Sequence, residues 1–265
     1  VAFSPNGSFI AAATRGNDIQ IWETSSGRLL QLLKTGYGDL TSLTFSPNGK
    51  RIAASGSDEK PLGLSKGENA SKVWQVESGE LVGSLKPERL VAQSGIFSYV
   101  VFGPDSDLVI SSFEDQAAVW NAGTERPLTF LIGPDQKSSE ERVNSVGSII
   151  GSIARASDGS VVATIPFYGG PTILWRVQSG KPFLNTGQNA NSADFSPDSK
   201  FVVLGGKDKT ARVWDIEKKR EIKRLEGHSR NVRSVSFSSD GRFLSTSDSD
   251  TTLVWSATDW KIVGK

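Results

Sequence analysis

The chain has 265 residues, 30 basic against 29 acidic side chains, a formal charge of +1 and no cysteine. A near-neutral balance argues against a chain built to coat nucleic acid or an anionic membrane, and without thiols there is neither a disulfide framework nor thiolate chemistry. The apolar runs are strand-length, far short of the roughly 20 residues that span a bilayer.

Val1 opens in the middle of a strand pattern without an initiator Met, which reads as a segment cut from a longer protein with further domains. Phe3-Ser-Pro-Asn-Gly7 is a turn phrase, since Pro fixes φ and short polar side chains bond back to the backbone. The phrase recurs unchanged at Phe45 to Gly49. Softer copies stand at Phe102 to Ser106, Phe195 to Ser199 and Phe237 to Gly241, with a degenerate one at Arg155 to Gly159. A β-prone run ending in Trp follows each copy, at Trp22, Trp74, Trp120, Trp175, Trp214 and Trp255. Such self-similarity marks a repeat architecture. The units run approximately over 1–36, 37–86, 87–133, 134–187, 188–228 and 229–265, as one domain.

Residues 191–225 show one unit most clearly. A strand ends at Phe195, Phe201-Val-Val-Leu is a buried strand, Thr210 to Trp214 alternates, and Glu221 to Leu225 is a charged outer strand. Four short antiparallel strands with tight turns make a small sheet. Such a sheet buries its apolar faces only by stacking on copies of itself, and radial repetition protects its edges. The predicted fold is an all-β propeller of six four-stranded antiparallel blades, with a seven-bladed parent left open.

Gly227-His228, Phe237-Ser-Ser-Asp-Gly241, Asp250 and Trp255 resemble the WD-repeat family, as does Phe195-Ser-Pro-Asp followed by Asp208-Lys-Thr-Ala-Arg-Val-Trp214-Asp215. The resemblance implies a hydrogen-bond network of Trp, Ser or Thr, His and Asp in each complete blade. Only the last unit reads as complete, with His228, Thr246, Asp250 and Trp255. At the Gly-His position the second unit carries Gly36-Tyr37 and the fifth Gly187-Gln188. The fourth unit lacks the Phe, His and Asp together and is expected to be the least regular.

Length varies at Glu59 to Ala70, Pro87 to Ile96 and Pro134 to Ser148, between strands two and three or between units. These joints share the face opposite the Ser-Pro-Asn-Gly turns. Insertions in repeat proteins commonly map to the binding face. Tyr37, Leu62, Leu64, Arg89, Phe167, Tyr168 and Arg230 are the candidate partner contacts there. The resemblance implies a noncatalytic, cytoplasmic scaffold for a protein or peptide partner, with no catalytic residues, cofactor or metal. The single histidine and absent cysteine give no zinc cluster. One rival is a small-ligand or hydrolytic propeller with its site at the channel mouth. Another is contact of the basic strand at 218–224 with nucleic acid or an acidic surface, against which Glu217, Glu221 and Glu226 interleave.

Overall fold

The computed structural model describes residues 1–14, 16–57, 71–85, 98–103, 105–113, 116–124, 126–131, 150–167 and 169–265. No helix long and apolar enough to cross a membrane occurs among them. They form six four-stranded antiparallel sheets in two compact units, Val1–Asn144 and Ser145–Lys265.

The first unit holds three sheets. They comprise β1 (Ala2–Phe3), β2 (Phe9–Ala13), β3 (Ile19–Glu23) and β4 (Leu29–Leu33); β5 (Asp39–Phe45), β6 (Arg51–Ser57), β7 (Ser71–Gln75) and β8 (Leu81–Leu85); and β9 (Ser98–Phe102), β10 (Leu108–Phe113), β11 (Gln116–Asn121) and β12 (Pro127–Leu131). The second unit holds β13 (Ile150–Arg155), β14 (Val161–Pro166), β15 (Ile173–Arg176) and β16 (Lys181–Asn185); β17 (Ala190–Phe195), β18 (Phe201–Gly206), β19 (Ala211–Asp215) and β20 (Arg220–Leu225); and β21 (Ser234–Phe237), β22 (Phe243–Ser247), β23 (Thr252–Ser256) and β24 (Ile262–Gly264). Each sheet is a meander in which consecutive strands pair. The six repeat Trp residues all lie on third strands.

Within each unit the sheets stack through their apolar faces. Ile19, Ile21 and Leu33 of the first sheet meet Phe45, Ile52 and Trp74 of the second. Val73 and Leu85 of the second meet Phe102, Val109 and Trp120 of the third. The second unit repeats the scheme, with Ala163, Ile165 and Leu174 against Phe195, Val202 and Leu204, then Val203, Val213 and Leu225 against Leu244 and Trp255. Each such side chain contributes about 1.5–3 kcal/mol when fully buried, so stacking dominates the stability of the sheets. Trp260, outside the repeat register, packs edge-on against Phe201 and Phe237, at ring separations of 6.1 and 6.5 Å.

Every sheet carries a register shift immediately before its Trp, where the outer strand pairs with the third. A bulge there increases local twist. The Ser-Pro turns share one construction. Ser4 Oγ donates to Asn6 Oδ1 at 2.8 Å and accepts from Phe9 N at 2.9 Å; Ser46, Ser196 and Ser238 repeat it. The last turn residue is left-handed, and where Ser replaces Gly there the hydroxyl is used. Ser106 (φ 60°) and Ser199 (φ 59°) accept Asn48 N and Asp158 N of the preceding sheet's turn, at 3.2 and 3.0 Å.

The fourth sheet is more regular than expected. Its strands pair in the common register, and Trp175 Nε1 donates to Thr164 Oγ1 at 2.9 Å. Backbone pairing and stacking survive the loss of Phe, His and Asp because neither depends on them. The shortest strand is β1, with two residues.

Candidate functional site

At the end of the sixth sheet opposite its Ser-Ser-Asp-Gly turn lie the joint between strands two and three and the link arriving from the fifth sheet. In the sixth sheet these segments meet around His228. Trp255 Nε1 donates to Thr246 Oγ1 at 2.8 Å, and Thr246 Oγ1 stands 2.7 Å from His228 Nε2. His228 Nδ1 lies 3.2 Å from Asp248 Oδ2, both side chains fully out of contact with solvent. The carboxylate favours the proton on Nδ1, so Nε2 accepts from Thr246.

The acid is therefore Asp248, not Asp250. The shortened joint moves the position two residues upstream, and Asp250 turns outward to Arg230 Nε at 2.6 Å. Asp248 also organises the rim. Its Oδ1 accepts Asp250 N at 2.8 Å and Thr251 N at 2.7 Å, and its Oδ2 accepts Arg230 N at 3.3 Å. These bonds, the Asp250 N–H foremost, hold its carboxyl well below the usual carboxylate range against the opposing effect of desolvation.

Tyr37, expected as an exposed contact, is a buried structural residue, 2 % accessible. It occupies in the second sheet the place His228 holds in the sixth. Its hydroxyl donates to Ala54 O at 3.3 Å, and Lys72 Nζ stands 4.9 Å from its ring centre. Gln188 fills the place in the fifth sheet. Its Nε2 donates to Leu204 O at 3.2 Å, and Trp214 Nε1 points to its Oε1 at 3.5 Å. Ala54, Leu204 and Thr246 hold the same register position. Where the hydroxyl is missing, the replacement side chain takes that residue's carbonyl instead.

The acid position changes in step, reading Gly56, Gly206 and Asp248. A side-chain carbon at Gly56 would sit 2.4 Å from Asp39 O and 2.7 Å from the Tyr37 ring. One at Gly206 would meet Asp208 Oδ1 first, with Gln188 Nε2 2.9 Å away. In the second sheet the Tyr37 ring uses the room the acid takes in the sixth, and in the fifth Gln188 shares it with the Asp208 carboxylate.

A cleft of about 530 Å³ opens beside this network in the second unit, lined by Lys209, Ser229, Arg230, Asn231 and Arg233, with Ser249 and Asp250 completing the wall. Lys209 sits in a left-handed turn conformation, φ 68°, between β18 and β19. Among the described residues, neither the Lys209 ammonium nor the Arg233 guanidinium has an ion-pair partner. The neighbouring Asp208 is turned to Arg212 and Thr210. The cleft thus holds three cations against one carboxylate, though the chain as a whole is balanced. Composition hid this excess, and of the lining residues the sequence points only to Arg230, as a contact, and Asp250, as the network acid, because turn lysines and arginines are ordinary there.

Of the remaining candidates, Phe167 is 45 % accessible at the end of β14. Leu62, Leu64, Arg89 and Tyr168, and the insertions at 59–70, 87–96 and 134–148, lie outside the described residues. In the basic strand, Lys218 pairs with Asp215 at 2.9 Å, Arg224 with Glu221 at 3.3 Å, and Arg212 reaches Glu221 at 3.5 Å. Of its five cations, Lys218 and Arg224 are thus paired.

The family described as WD domain, G-beta repeat matches residues 1–23, 27–60, 182–215 and 219–256. Among curated proteins, the chain is 21% identical over 253 residues to the periodic tryptophan protein 2 homolog of Dictyostelium discoideum, covering 92% of the chain and 24% of that protein. It is 22% identical over 259 residues to a guanine nucleotide-binding protein subunit beta of Oryza sativa subsp. indica, covering 91% and 63%. It is 23% identical over 235 residues to human WD repeat-containing protein 18, covering 83% and 50%. The chain spans less than two thirds of each of these relatives. Four matched repeats, two further sheets in the same register and the assembled Trp-Thr-His-Asp network have one common reading: the chain belongs to the WD-repeat family, and its sheets are propeller blades.

Proposed function

We propose that the chain is a noncatalytic scaffold, acting as one domain of a longer protein, that binds a protein or peptide partner at the blade ends carrying the strand two–three joints. The cleft beside His228 carries this reading. It combines a rim tied down by the Asp248 carboxylate with exposed, adaptable side chains, an arrangement that allows binding with little backbone change. The imidazole itself is sealed, with Nε2 bonded to Thr246 and Nδ1 facing the Asp248 carboxylate, which does not favour a hydrolytic role for it. Relatives named as WD repeat proteins and G-protein β subunits support the scaffold reading.

The test is selection of displayed random dodecapeptides on the immobilised chain. Enriched peptides are expected to lose at least tenfold in affinity, about 1.4 kcal/mol, when Arg230 and Arg233 are both changed to Ala. They should be indifferent to Asn6→Ala and Asn48→Ala in the Ser-Pro turns. Failure of any peptide to enrich would overturn the scaffold reading. Sensitivity only to the Asn changes would move the site to the other end of the blades.

A further inference from the structure

We infer that the cleft beside the sixth blade receives an acidic peptide segment, and that Asp250 is an internal stand-in for one of its carboxylates. The inference rests on the scaffold reading above and names its ligand class. Charge complementarity is the first argument. Lys209 and Arg233 line the cleft without an ion-pair partner among the described residues, while Arg230 has one carboxylate partner. Asn231, Ser229 and Ser249 add neutral hydrogen-bonding groups suited to a peptide backbone.

The second argument is the construction of the Arg230–Asp250 pair. The backbones of both residues are fixed, because Asp248 accepts Arg230 N and Asp250 N. Their side chains are free by contrast, 66% and 49% accessible. An ion pair that open to water contributes little to stability. It is therefore cheap to exchange, and a guanidinium can take an incoming carboxylate through two parallel N–H donors. Ser249 Oγ donates to Asp250 Oδ1 at 3.0 Å and is the other partner of the stand-in. The site thus stays neutralised at Arg230 when empty and competes against weakly acidic partners. Lys209 and Arg233 provide the long-range attraction.

The counterintuitive consequence is that removing an acid from the cleft wall tightens binding only for acidic ligands. The probe is a fluorescein-labelled dodecapeptide of four Glu-Ser-Leu triplets, read by anisotropy at low salt beside its Gln counterpart. The Glu peptide is expected to bind the unaltered chain at least tenfold more tightly than the Gln peptide. Lys209→Ala and Arg233→Ala should each weaken it at least threefold. Asp250→Asn should tighten it at least threefold, leaving the Gln peptide and the thermal midpoint unchanged. Equal binding of the two peptides, or an Asp250→Asn chain that binds the Glu peptide no better, would sink the inference. If Asp250→Asn lowers the thermal midpoint, Asp250→Ser and Arg230→Gln replace it, the latter expected to weaken the Glu peptide. Displayed peptides that enrich at the cleft without an excess of Asp and Glu would overturn this inference while leaving the scaffold reading intact. Low-millimolar inorganic phosphate binding at the cleft with no affinity for the Glu peptide would assign it to a phosphorylated ligand, again against the proposal.

Discussion

His228 is the hinge of the polar network in the sixth blade. It joins the Trp255–Thr246 pair to Asp248, and Asp248 in turn fixes the cleft rim. His228→Ala breaks a buried hydrogen bond and leaves Thr246 Oγ1 with one partner fewer. The expected loss is about 1–3 kcal/mol, read as a lower urea midpoint at unchanged slope. Asp248 adds a pH signature. Its folded pKa is depressed by the N–H groups of Asp250, Thr251 and Arg230 and by His228, so its contribution is fully present above the unfolded carboxylate value of about 3.9. It is lost as pH falls through the lower folded value. The stability gap between the unaltered chain and Asp248→Asn should therefore shrink between about pH 5 and pH 3. A gap constant across that range would show that the carboxylate charge is not what holds the rim. Asp194 acts in the opposite sense. Burial raises its pKa although it accepts Phe237 N and Phe195 N, so its contribution declines as pH rises out of the carboxylate range.

At the scale of the blade, His228 with Asp248, Tyr37 with Gly56, and Gln188 with Gly206 and the Asp208 carboxylate are alternative fillings of one space. Each keeps a polar link to the same position of the second strand. Gly56→Ala alone should overpack Tyr37 and Asp39 O and cost about 1–3 kcal/mol. Tyr37→His alone leaves a smaller ring with no acid beside it. The double change Tyr37→His with Gly56→Asp is expected to lose less than the sum of Tyr37→His and Gly56→Asp taken singly. A denaturation cycle measures that coupling, and strict additivity would show the two positions to be independent. Tyr37 was legible from sequence as the occupant of the Gly-His position. Its burial was not, because accessibility depends on Gly56, nineteen residues later, giving it room.

At the scale of the whole molecule, charge is nearly balanced but unevenly placed. The basic run at 218–224 is interleaved with glutamates and pairs Lys218 and Arg224, whereas the cleft sets three cations against one carboxylate. Binding of the acidic dodecapeptide should therefore weaken severalfold as ionic strength rises from about 0.02 to 0.3 M, as the screening length contracts from well above to below about 10 Å. An affinity flat across that range would point to apolar contacts.

The sequence by itself determined the architecture. Six copies of a turn phrase at a steady distance from a Trp can be satisfied only by a small sheet repeated, and the period-two patterning fixes which face of each strand is buried. The resemblance to WD repeats also picked out His228, Thr246 and Trp255 as one network. Only the tertiary structure decided that Asp248 rather than Asp250 completes it. A one-residue shortening of a turn changes which side chain points inward, and backbone geometry settles that where spacing does not. The cleft was likewise invisible in the chain order. Lys209 comes from one blade and Arg230, Arg233 and Asp250 from the link and joint of the next, and their charges add only because stacked blades bring those segments to one rim.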